Sequence, residues 1–190
     1  MRPELENRAQ RFRDLIEPLL NDAYTLARFL ARDPTVAEDI VQEASLRAFR
    51  HVESLRGAGE ARPWFLKIVR NCFYAWREKT GQMNLQSLDA ESSEEMMRSA
   101  TDDTDDAQRD LDPQRILERT VKRDAVREMI ESLPVQFREA LVLRELNDLS
   151  YREIADLTNL PIGTVMSRLA RARDMLRKIW IERAGEGALL

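Results

Sequence analysis

One cysteine and one histidine stand in 190 residues, and that scarcity removes whole classes of chemistry. Cys72 without a partner excludes an internal disulfide, a cysteine-cluster metal site and redox sensing by a thiol pair within one chain. His51 alone gives no histidine-based triad and no transition-metal constellation, which removes the commonest hydrolase designs. The acidic residues fall on helix faces and in a linker rather than in a recognisable carboxylate site. A non-enzymatic protein with no metal and no cofactor is therefore expected. No run is long or apolar enough to span a membrane, and the start, MRPELENRAQRFRDL, is charged throughout with no apolar h-region. The expectation is a cytoplasmic protein with no membrane insertion. Cys72 lies in the apolar-rich run IVRNCFYAW and reads as a buried small hydrophobe.

What is present is helical periodicity throughout, and the length suits two small units. Leu15, Leu19, Leu20, Ala23, Leu26, Ala27 and Leu30 form one apolar helix face, with a restart or kink at Pro18. Asp33 and Pro34 break it. Thr35 and Glu38 then read as a capping box opening a helix lined by Ala37, Val41, Ala44 and Ala48, with Asp39, Gln42, Glu43 and Arg47 outside. SLRGAGEAR reads as a flexible loop around Gly57 and Gly59, and Pro63 as the start of the next helix. That helix combines Trp64, Phe65, Ile68, Val69, Phe73 and Trp76 with Lys67, Arg70, Arg77 and Lys79. Gly81 to about Pro113 is dense in acid and poor in core formers, which reads as a linker. Helical order resumes near Gln114. Val126, Met129, Ile130 and Leu133 are expected inward, and Pro134 is expected to start a helix bearing Phe137, Leu141, Val142 and Leu146. The fold class expected is all-α, with units at 1–80 and 114–183, a linker at 81–113 and a tail at 184–190.

The stretch LSYREIADLTNLPIGTVMSRLARAR is the most informative part of the chain. Ser150 and Glu153 make a capping box, so a helix starts at Tyr151. Ala155 is small where a crossing helix must come close. Asn159 suits a left-handed stop and Pro161 the first turn of a second helix. Val165, Leu169, Ala172, Leu176 and Ile179 then form one stripe. Ser167, Ala170, Arg171 and Asp174 share the opposite face, flanked by Thr164, Arg168, Arg173, Arg177 and Lys178. Short or bidentate side chains between cations is the layout of a helix that reads base edges and grips phosphates. An amphipathic helix pair with a solvated basic face fits the same spacing. A net charge of −4 looks wrong for a DNA binder, but the acid is concentrated between Asp89 and Asp112 while the C-terminal helix is strongly basic.

Three segments in order resemble a bacterial RNA polymerase sigma factor of the extracytoplasmic-function (group IV) type. AEDIVQEASLRAF resembles the core-binding segment, ARPWFLKIVRNCFYAWREK the promoter-melting segment, and LPVQFREALVLRELNDLSYREIADLTNLPIGTVMSRLARAR the C-terminal sigma domain. The resemblance implies that Asp39, Gln42 and Glu43 meet a coiled coil of the largest catalytic subunits of RNA polymerase, β and β′. A solvated helix face explains the same three residues. It implies that the loop Glu53–Arg62, with Arg56 and Gly57, captures a base flipped from the nontemplate strand. Trp64, Arg70, Asn71, Arg77 and Lys79 would belong to the −10 melting surface, by stacking on unpaired bases and following the backbone. Trp64 also has core spacing. Ser167, Ala170 and Arg171 would read the −35 element, with Thr164, Arg168 and Arg173 on phosphates. Many relatives carry a basic residue where this chain has Met166, so a thioether replaces a cation that could aid DNA binding.

By the same resemblance the linker threads through the polymerase toward the active-site cleft; a solubilising spacer explains its composition equally well. With no receiver-like region and no N-terminal autoinhibitory extension in the sequence, control is expected from another protein, an anti-sigma factor. The expected partners are RNA polymerase core, promoter DNA and that factor. A stand-alone helix-turn-helix regulator and a sigma-like decoy for an anti-sigma factor are the alternatives.

Overall fold

A computed structural model describes residues 2–81 and 113–185, and the side chains of 4–81 and 123–183. The acidic stretch 82–112 and the tail 186–190 lie outside the described residues. Within them every regular element is a helix. The first unit holds α1 (Arg2–Leu15), α2 (Leu20–Ala31), α3 (Pro34–His51) and α4 (Ala58–Lys79). The second holds α5 (Pro113–Ser132), α6 (Val135–Glu145), α7 (Tyr151–Thr158) and α8 (Ile162–Gly185).

Pro18 sits in a 3-10 turn, Glu17–Leu19, between α1 and α2, where the break is expected. The cap of α3 is a correction. Asp33, not Thr35, caps it, its Oδ1 accepting from the backbone N–H groups of Thr35 at 2.8 Å and Val36 at 3.1 Å. Pro34 decides the matter: it has no N–H to leave unsatisfied and its φ is already helical, so it takes the first helical position and the cap falls just before it.

The loop at SLRGAGEAR is shorter than expected. α4 begins at Ala58, with Gly57 in extended conformation as its N-cap, and Pro63 stands inside the helix rather than at its start. Leu55 and Ala61 are buried on either side of the junction. Their burial outweighs the weak helix propensity of Gly59. Only Leu55–Gly57 is left without regular structure.

In α5, Met129 and Ile130 are buried, as is Leu133 beyond its end, but Val126 is exposed. It shares their stripe, yet the residues from Arg123 to Glu128 are mostly exposed and the packed body begins one turn later. Leu146, expected in the core, caps α6 and is exposed. The helix-turn-helix matches its expectation closely. Ser150 and Glu153 form the reciprocal capping box, Asn159 ends α7 in the left-handed conformation, and α8 starts immediately after Pro161. Val165, Leu169 and Ala172 are buried, and Leu176 and Ile179 pack against the core.

The buried residues of both units form one continuous cluster, from Ile16 to Ala172. α2 packs on α6 as well as on α3 and α4, and α4 packs on α7. The chain is closed, with the helix-turn-helix unit docked on the first unit.

Candidate polymerase and nucleic-acid interfaces

On α3, Ala37, Ile40, Ala44 and Ala48 are buried against the first unit. This orientation leaves Asp39, Gln42 and Glu43 exposed together on the outer face. Glu43 accepts from Arg47 Nε at 2.7 Å, and that bond holds the Arg47 guanidinium pKa up. With both side chains close to half exposed, the pair contributes little to stability and is easily exchanged for an external partner. Cys72 is buried in this unit, and burial pushes its thiol pKa up.

The residues expected at the melting surface divide in two. Arg56, Asn71 and Lys79 are exposed, and Gly57 and Trp64 are half-buried. Trp64 and Trp76 pack against the core, Trp76 stacked on Phe73 with ring centroids 6.2 Å apart. A Cβ added at Gly57 would meet nothing within 4 Å, so packing inside the chain does not demand glycine there. Arg70 and Arg77, by contrast, lie on the stripe of α4 that faces α6. Arg70 Nε donates to Glu139 Oε1 at 2.8 Å and its guanidinium lies over the Tyr74 ring at 4.6 Å. Arg77 acts electrostatically on both Tyr74 and Arg138.

Glu139, the partner of Arg70, is a buried charge whose counter-charge the periodicity of α6 does not reveal. The side chain is 1% exposed and accepts a second bond from the Tyr74 hydroxyl at 3.2 Å. Burial pushes the Glu139 carboxyl pKa up, against the pull of Arg70 and Tyr74. Burial also raises the Tyr74 phenol to about 12, with the Glu139 charge adding to it. Beside it, Arg138 donates to the carbonyls of Glu131 and Leu133 in its own unit and of Leu30 in the other. Its pKa is lowered to about 10, by burial first and then by Arg32. Arg28 pairs with Glu131 at 2.8 Å, Arg32 donates to the Leu133 carbonyl, Asn147 to that of Asp22, and Lys67 to that of Asp156. These polar contacts across the junction add to the continuous apolar core that the two units share. The sequence held one signal for this: α6 carries apolar residues too far round its axis to leave a solvated face for Arg138 and Glu139.

The outer face of α8 is open. Ser167, Ala170 and Arg171 are exposed, and Thr164 and Arg168 are half-buried beside them. Ser167 Oγ donates to the Thr164 carbonyl at 3.0 Å, a local bond readily replaced by a base edge. Arg173 is engaged by Glu145 of α6 at 2.7 Å, and this bond raises its pKa. Met166 is exposed beside Ser167. Arg144 braces the motif from behind, donating to the Leu149 carbonyl and lying over the Tyr151 ring at 5.1 Å.

Both halves have known counterparts. Residues 15–82 match the family described as Sigma-70 region 2, and residues 123–176 match Sigma-70, region 4. The ECF RNA polymerase sigma-E factor of Escherichia coli K12 is 33% identical over 143 residues, covering 73% of this chain and 70% of that protein. The sigma-E factor of Haemophilus influenzae is 32% identical over 156 residues, covering 80% and 77%. Among solved structures, the sigma factor RpoE of Bartonella quintana, in complex with the anti-sigma factor NepR, superposes with a TM-score of 0.64 at 25% identity, covering 89% of this chain and 96% of that one. CnrH, solved with the cytosolic domain of CnrY, shares the fold, with a TM-score of 0.60 at 18% identity. An α2–α3–α4 unit with an acidic outer face, a complete helix-turn-helix and these relatives agree: the chain belongs to the extracytoplasmic-function sigma factors of bacterial RNA polymerase.

Proposed function

We propose that this cytoplasmic chain binds polymerase core through Asp39, Gln42 and Glu43, reads the −35 element with α8, and captures unpaired −10 bases along α4. The division of labour follows the units, 1–80 for core and −10 element, 114–183 for the −35 element, with 81–113 as the connection between them. The bond-making chemistry belongs to the polymerase. The sigma factor acts by differential binding, holding separated strands better than paired ones. Ser167, Ala170 and Arg171 take base edges and Thr164, Arg168 and Arg173 take phosphates.

The observation that carries this reading is the outer face of α8, open and basic on a helix whose opposite stripe is buried at Val165, Leu169 and Ala172. The closed arrangement is the idle form. It engages Arg70 with Glu139 and Arg173 with Glu145, so two cations intended for nucleic acid are held by carboxylates of the same chain. An anti-sigma factor holds the idle form, as the complex of the Bartonella quintana relative with NepR supports.

Transcription in vitro with purified core polymerase and a promoter library tests the proposal. Promoter-specific transcripts are the expected result. DNA binding without transcripts would identify a stand-alone regulator, and capture of a partner protein with neither activity would identify a decoy.

A further inference from the structure

We propose that Arg11, on α1, is a positioning residue for −10 recognition: it fixes the short segment that presents Arg56 and Gly57. The inference rests on reading that segment as the base-capturing loop. Arg11 Nε donates to the Val52 carbonyl at 3.2 Å, and its Nη2 donates to the Leu55 carbonyl. One turn earlier on the same helix, Arg8 grips Glu53 through two bonds, Nε to Oε1 at 3.1 Å and Nη2 to Oε2 at 3.3 Å. Two side chains of α1 therefore hold Val52, Glu53 and Leu55. α1 is itself anchored by Phe12, edge-on to Phe49 of α3 with centroids 5.7 Å apart.

Within the turn Val52–Ser54, Ser54 Oγ donates back to the His51 carbonyl at 2.7 Å, which fixes its start but not its exit. Its closing backbone bond, Leu55 N–H to the Val52 carbonyl, is 3.3 Å long. Beyond it, the Leu55 side chain is buried and its carbonyl is held by Arg11. The next bonded backbone point is the Gly57 carbonyl, which accepts from Glu60 N–H at 3.3 Å, the same length as the Leu55–Val52 bond, at the start of α4. Arg56 and Gly57 thus span two anchors, one of which is Arg11. Capturing an extruded base demands a geometry set before the base arrives. A planar guanidinium presenting two donors in a fixed fork suits this task in a way that a lysine ammonium does not.

The test uses the full chain with core polymerase and promoters carrying single-base changes in the −10 element or, separately, in the −35 element. The readout is the ratio of transcription between promoters, which does not depend on the fraction of active protein. Arg11→Gln is expected to flatten −10 discrimination by about tenfold, leaving −35 discrimination and core affinity at the wild-type level. Arg11→Lys should recover part of it, and Arg8→Gln, which leaves Arg11 in place, should flatten it less. An equal fall on every promoter would show that Arg11 only stabilises the unit, and unchanged −10 ratios would show that it does not position the loop; either overturns the proposal. A wild-type chain indifferent to −10 sequence would remove the underlying loop assignment as well.

Discussion

Arg70 of α4 and Glu139 of α6 meet at 2.8 Å across the junction of the two units, with the Tyr74 hydroxyl as the second donor to the same carboxylate. A buried carboxylate in this position is stable only while its counter-charge stays in place. Glu139→Gln keeps the volume and one acceptor but loses the charge, and is expected to weaken closure by about 1–2 kcal/mol, the difference between a charge-assisted and a neutral hydrogen bond. Small-angle scattering should show a larger radius of gyration with unchanged helical circular dichroism. A scattering curve and thermal midpoint identical to wild type would show that the pair does not hold the units together.

Gln42 lies exposed between Asp39 and Glu43 and makes no contact on which folding depends. Gln42→Ala should leave the unfolding free energy within about 0.5 kcal/mol of wild type while lowering affinity for core polymerase. Unchanged core affinity in a direct binding measurement would remove this face from the interface.

Arg171 is exposed on the open face of α8, one turn beyond Ser167. If it reads a base edge, Arg171→Ala should cost about 1–3 kcal/mol at one defined position of the −35 element and relax preference there. Arg168→Ala should instead weaken binding uniformly and reduce its salt dependence. Selection from a randomised −35 library separates the two; a uniform loss from both would make Arg171 a phosphate contact.

The cap of α7 carries a pH signature. Bonds from the Ser150 hydroxyl and backbone N–H hold the Glu153 carboxyl below its ordinary value of 4.5. A depressed carboxylate stabilises the fold above its unfolded pKa and loses that contribution as pH falls through the folded value. Glu153→Gln should therefore lower stability by about 1 kcal/mol at neutral pH, and the gap to wild type should narrow once the pH passes below 4.5. A gap constant from neutral to acid pH would show that the cap does not depend on the charge of Glu153.

The features read correctly from the sequence are those fixed by neighbours three or four residues apart. Ser150 with Glu153, Asn159 as a left-handed stop, and the stripe from Val165 to Ala172 each carry their own local geometry. Local signals also mislead when two overlap. Thr35 and Glu38 have capping-box spacing, but Asp33 before Pro34 captures the helix end first. Gly57 and Gly59 suggested a longer loop than the burial of Leu55 and Ala61 allows. Glu139 lay beyond such reasoning because its partner Arg70 is 69 positions away, and no periodicity within α6 identifies a counter-charge on another helix. For the same reason Arg70 could be assigned to DNA from its own helix, but not seen to be already occupied.

Arg138 shows how the chain can part. Two of its three carbonyl partners, Glu131 and Leu133, belong to its own unit, and only the 3.4 Å bond to Leu30 crosses the junction. The turn between α5 and α6 therefore keeps its principal brace when the units separate, while Arg138 Nε and Asn147 Oδ1, buried without a protein partner, become free to hydrate. On the proposed reading of the closed arrangement as the idle form, opening would therefore ask no helix among the described residues to melt.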